Sequence, residues 1–139
     1  MFKNSLLSLI FVLAIISYGC ENGSPENNPS EMNPQNLADQ VEAHNQNDEF
    51  EEALELLREA DQEEAEVQQM LETVHLNYAL HLTHVKGMED MRKYMPKALK
   101  HYRRVLELNS ENERAQQEKN QIVEIYQQLG RDVPEGVAE

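Results

Sequence analysis

Apolar side chains recurring at helical intervals constrain this chain more than any other feature. Between residues 64 and 85, Val67, Leu71, Val74, Tyr78, Leu82 and Val85 step by three or four positions, which sets them along one side of a single long helix. Leu76 and Leu80 fall on the opposite side, so this helix is apolar on two faces and either belongs in the middle of a stack or presents apolar surface to a partner. A second stripe runs through residues 96–110. There Ala98, Leu99, Tyr102, Val105, Leu106 and Asn109 share a face, while Lys100, Arg103, Arg104 and Glu107 lie mostly off it. Pro96 suits a first-turn position, where its missing N–H would be unpaired anyway, so the spacing predicts a helix starting there.

Shorter elements flank these two. Leu37, Ala38, Val41 and His44 lie on one face of a weakly apolar helix over residues 36–46. Asp48 through Glu51 has the form of an N-cap followed three residues later by a reciprocating glutamate. Phe50, Ala53, Leu54, Leu57 and Ala60 then follow at periodic spacing. A last helix over residues 112–129 carries Ala115, Ile122, Ile125, Tyr126 and Leu129 as a narrower stripe. It should stop at Gly130, with Pro134 beyond. The predicted architecture is all-α, an antiparallel stack of helix hairpins over residues 36–130, with residues 131–139 as a loosely held tail.

Two segments carry a family resemblance. NDEFEEALELLREA resembles the turn and second helix of a tetratricopeptide repeat, with Phe50 in the aromatic place, Ala53 in the small one, Leu57 in the bulky one and Ala60 closing. Ala98, Tyr102 and Val105 fill the corresponding places of a second such helix, and Tyr78, Ala79 and Leu82 those of its first helix. Gln40 and His44 depart from the Leu and Tyr usual in the opening helix. Ala53 to Ala98 is 45 residues, against a period of about 34. The excess falls in the long helix and in residues 86–95, whose Met88, Met91 and Met95 are expected to pack over the core. The resemblance implies about two repeats plus a C-terminal capping helix. It also implies non-catalytic capture of a peptide or protein surface in a groove lined by first helices. Carried over residue by residue, the groove candidates are Glu42, Leu76, Leu80 and His84.

At the N-terminus Lys3 precedes an apolar run from Leu6 to Ile16 that ends in Ser17-Tyr18-Gly19-Cys20. Such a run is too short for a bilayer-spanning helix of roughly 20 residues, but suits a secretory leader. The segment resembles a bacterial lipoprotein signal, with residues 1–19 removed and Cys20 lipidated. Tyr18 and Ser17 stand where a small residue and Leu are usual. Cys20 is the only cysteine, so no disulfide can form within the chain. Residues 20–35, rich in Asn and Pro, have the composition of a tether that cannot bury enough surface to order itself. The resemblance places the protein in the bacterial cell envelope, at the outer rather than the inner membrane, held there by acyl chains on Cys20.

The formal charge of −14 argues against nucleic acid as a partner, because a phosphate backbone demands Lys and Arg. That charge is unevenly spread. Residues 21–72 carry 16 acidic and one basic side chain, whereas residues 73–108 carry three and seven. Either neighbouring helices of opposite sign attract one another within the fold, or the acidic end and basic middle steer an oppositely patterned protein. The chain contains no Gly-rich phosphate loop and no Gly-x-Ser-x-Gly, so no catalytic residue is assigned and the expected activity is non-enzymatic. His75, His81 and His84 share one helix, with His101 reachable only through packing. Their directions diverge, and no metal or cofactor is expected. The expected partner is another protein or peptide. A solute- or metal-binding lipoprotein and a self-associating envelope component are the alternatives from other classes.

Overall fold

The computed structural model describes residues 34–84 and 91–135. The expected leader, Cys20, the tether as far as residue 33, and residues 85–90 with Val85 and Met88 lie outside them. Five helices follow one another: α1 (Pro34–Gln46), α2 (Phe50–Glu59), α3 (Ala65–His84), α4 (Met91–Leu108) and α5 (Glu113–Gln128). Each packs against the next, and α3 touches α1, α2 and α4, so the helix with two apolar faces is the middle of the stack. The domain is all-α, a stack of helical hairpins, with no strand among the described residues.

The core forms where the stripes meet. Ala53 and Leu57 of α2, Ala79 of α3, and Ala98, Leu99, Tyr102 and Val105 of α4 are completely buried. Each large one is worth roughly 1.5–3 kcal/mol of transfer from water. Small residues on facing helices let their axes approach, and the aromatic rings fill the space on either side. Phe50 stacks on Tyr78 with centroids 5.0 Å apart. The Tyr102 hydroxyl lies 3.2 Å from Thr83 Oγ1, and burial pushes its pKa up to about 12. Leu37 and Val41 are the buried apolar residues of α1.

Helix ends depart from the spacing argument in instructive ways. α1 begins at Pro34, two residues before the periodic face, with proline in the first position it favours. α4 begins at Met91, so Pro96 lies inside the helix rather than at its start. Tyr94 and Met95 pack partly buried against the core and hold that added turn in place. The expected capping box at α2 does not form. Glu49 is the N-cap without a side-chain bond, and Asp48 adopts a left-handed φ of 61°, a conformation aspartate tolerates. Its carboxylate turns instead to His81 Nδ1 at 3.3 Å.

At the other end, Asn112 caps α5 by accepting from the Ala115 N–H at 2.9 Å. Glu72 of α3 receives both the Asn112 and Asn109 amides, at 2.7 and 2.9 Å, and so fixes the α4–α5 turn. α5 closes with Gly130 at φ +64°, its N–H bonding Gln127 O while the Arg131 N–H reaches Tyr126 O. Leu129 is 62 % exposed and stands off the stripe assigned to it. Glu118 is buried instead, paired with Arg114 Nη2 at 2.8 Å. The described part of the tail is pinned rather than loose. Val133 packs against the core and Arg103 donates to Pro134 O at 2.8 Å.

Candidate functional site

Two of the open depressions beside α3 bear on function. The first is a groove of about 300 Å³ between α1 and α3, floored by the buried Val41 and Val74 and rimmed by Glu42, Asn45, Glu66 and Gln69. The second is a cleft of about 750 Å³ between α2 and α4, reaching Tyr78 of α3.

The structure does not bring the four sequence candidates together. Glu42 stands on the groove rim, where its Oε1 accepts from Gln46 Nε2 at 2.7 Å. Leu76 and Leu80 are partly buried against the core and are not walls of that groove. His84 lies exposed at the end of α3, its Nε2 3.4 Å from Glu118 Oε1 of α5. The second apolar face of α3 is therefore used in packing, and the groove opens along Met70, Thr73 and Val74. Val74 marked this face in the sequence, but the partner side of the groove follows only from how α1 docks.

The wall of the second cleft is a charged network that the sequence did not disclose. Tyr78 donates to Glu51 Oε1 at 2.7 Å, and Lys97 Nζ donates to the same carboxylate oxygen at 2.7 Å and to the Tyr78 hydroxyl at 2.5 Å. The Lys97 hydrogen bond, then that of Tyr78, holds the Glu51 carboxyl below its usual value. Burial works against the Lys97 ammonium, yet its bonds to Glu51 and Tyr78 more than offset that and keep its pKa above the ordinary lysine range. Burial likewise raises the Tyr78 phenol. Residues distant in sequence thus tie three helices at one point, and the acidic α2 meets the basic α4 there.

Beside this network His75 Nδ1 and His101 Nδ1 lie 2.9 Å apart, one donating to the other. His101 also packs on the Tyr78 ring at 4.4 Å between centroids. Burial foremost, then the facing His75, drives the His101 pKa down to about 3, so it is neutral at physiological pH. His81 and His84 are held by Asp48 and Glu118, each in its own place. Among the described residues no three His, Cys, Asp or Glu side chains converge on a point that would hold a metal ion. Glu51, Tyr78, Lys97, His75, His101, His81 and His84 thus all take part in contacts between separate elements of the fold. No protein-family model matches the chain, and no curated protein or solved structure matches it either.

Proposed function

We propose that this protein is a lipid-anchored, non-catalytic interaction module of the bacterial cell envelope. In this reading it resembles about two tetratricopeptide repeats with a capping helix, and it captures an extended segment of another protein in the α1–α3 groove. The observation that carries the reading is the groove itself. It lies between the leading helices of two successive hairpins, with an apolar floor and a rim of carboxylates and amides. Such a rim can hydrogen-bond a peptide backbone while the floor takes its side chains. Acyl chains on Cys20 would supply the membrane affinity, and a coil of about 15 residues would give the domain a reach on the order of 20 Å.

Site-specific photo-cross-linking in the native host tests it. A photoreactive residue in place of Glu42 or Gln69, on opposite sides of the groove, should trap the same discrete protein. One in place of Glu113, exposed on α5, should not. Equal labelling from all three positions, or none from the groove, overturns the reading. Fatty-acid labelling of the chain should disappear in Cys20→Ala.

A further inference from the structure

A further depression opens at the head of the α1–α3 groove. It holds about 270 Å³ between Leu37 of α1, the end of α2 and the first turn of α3, and it shares Glu66 and Met70 with the groove, so the two form one trough. Leu37, Val41, Val67 and Val74 are buried along it, and Met70 is half-buried where the two depressions join. Val67, Met70 and Val74 recur at helical spacing and present one apolar strip of α3. Five carboxylates line the trough: Glu42 from α1, Glu59 from the end of α2, Asp61 and Glu64 from the α2–α3 turn, and Glu66 from α3. Among the described residues, no Lys, Arg or His lines it.

These charges are left standing by the fold. Arg58, the one Lys or Arg in residues 34–72, bonds Glu55 and lines the α2–α4 cleft instead. Glu42 accepts from the Gln46 amide and Asp61 from the Glu63 N–H, both neutral donors that leave the charge in place. Like charges around a low-dielectric concavity focus a negative potential within it. Resting on the α1–α3 groove as a docking site, we propose that its occupant is a basic segment, an extended stretch of a partner protein with lysines or arginines around an apolar residue. Its cations reach Glu59, Glu64 and Glu66 at the head of the trough and Glu42 farther along, while the apolar side chain lies on the Val67–Met70–Val74 strip. From Glu66 to Val74 the trough follows α3 for about 12 Å, room for about four residues of extended chain.

Other occupants fit less well. Among the described residues no three carboxylates converge as a metal ion requires, so the charges match several separated cations better than one ion. Residues 21–33 precede α1 with three glutamates and no Lys or Arg, so the trough repels the chain's own neighbouring stretch. Anionic lipid and nucleic acid are repelled in the same way, and a small organic cation would leave most of the carboxylates uncompensated.

The full chain in non-ionic detergent micelles, titrated calorimetrically with a short capped peptide of lysines around one leucine, tests the proposal. Saturable binding is expected beyond that to empty micelles, with none of the corresponding glutamate peptide, and replacing the leucine by glycine should weaken it. The triple variant Glu59→Gln, Glu64→Gln, Glu66→Gln should bind at least tenfold more weakly. The same change at Glu111, Glu113 and Glu124, exposed on or beside α5, should leave affinity within twofold and so controls for net charge. Carbodiimide coupling should join the peptide to Glu59, Glu64 or Glu66. The proposal is overturned if the lysine peptide fails to bind, or if both triple variants weaken it equally. Calcium binding without peptide binding overturns it in favour of a metal ion, and coupling of Glu66 to lysines of a second copy without peptide binding overturns it in favour of self-association. Photo-capture through Glu42 and Gln69 of a partner segment lacking lysine and arginine would overturn the charge class and leave the groove reading intact. No capture from either position removes the groove reading, and this occupant with it.

Discussion

The two hairpins of this stack follow the same helical period and are built to different depths. In α3–α4, four α4 residues are completely shielded, and the pair is cross-tied by Thr83 with Tyr102 and by His75 with His101. In α1–α2, α1 buries Leu37 and Val41 among its described side chains, and its polar bonds include Asn36 with Gln40 and Glu42 with Gln46 along its own length and a single 3.3 Å bond from Asn77 of α3 to Asn45. The second hairpin is a framework. The first is an acidic layer laid onto it, held by Phe50, Ala53 and Leu57 and by the Glu51–Lys97 tie. A periodic pattern therefore locates helices well but says little about how much each contributes to stability, which depends on what covers it.

That contrast can be broken most forcefully at Tyr102. Tyr102→Ala should lower stability by about 3–5 kcal/mol, enough to unfold much of the domain, as urea denaturation will show. Leu37→Ala should cost about 2 kcal/mol and speed amide exchange in α1 while α4 stays protected. Equal loss of protection in both hairpins would mean that they open as one unit.

Acid should act on the framework first. Unfolded histidine takes up a proton near pH 6.5, whereas native His101 resists protonation until about pH 3. Lys97 and Lys100 add to the effect of His75 there, while Glu51 opposes it. In the interval between those values the unfolded chain binds more protons, so stability falls as pH falls, by on the order of 3 kcal/mol at pH 4. The lowered Glu51 carboxyl adds loss in the same direction at lower pH. His101→Leu should flatten the pH dependence of the thermal midpoint between pH 6.5 and 4.

The smallest effect sharpens the contrast most. A double-mutant cycle with Glu51→Gln and Lys97→Met should give a coupling of about 0.2–1 kcal/mol, because both groups are substantially exposed and screened, and it should shrink with added salt. A coupling near zero would leave the two hairpins joined by apolar contact and by the Tyr78–Glu51, His81–Asp48 and Asn77–Asn45 contacts.

Much of the core was legible before any coordinates. Phe50, Ala53, Leu57, Tyr78, Ala98, Tyr102 and Val105 all stand where helical spacing put them, and all are buried. The ends of helices were less legible because local rules compete with packing. Pro96 has the local form of a start, but Tyr94 and Met95 find cover and draw the helix back to Met91. Asp48 has the form of a cap, but His81 offers its carboxylate a partner across the fold. The cleft was illegible for another reason. Glu51, Tyr78 and Lys97 are separated by up to 46 positions, and no spacing rule joins residues that only packing brings together. The groove was half visible. Glu42 was assigned to it, while Leu76 and Leu80 were assigned there too and are partial core.

Pro96 carries a further consequence. Having no N–H, it deletes one rung from the backbone ladder of α4 and leaves the carbonyl of Arg92 without its usual bond. The opening turn therefore depends more on the packing of Tyr94 and Met95 against the core than on its backbone bonds to the rest of the helix. A single ring thus separates the backbone bonding of the first turn of α4 from that of the buried stretch Ala98 through Val105.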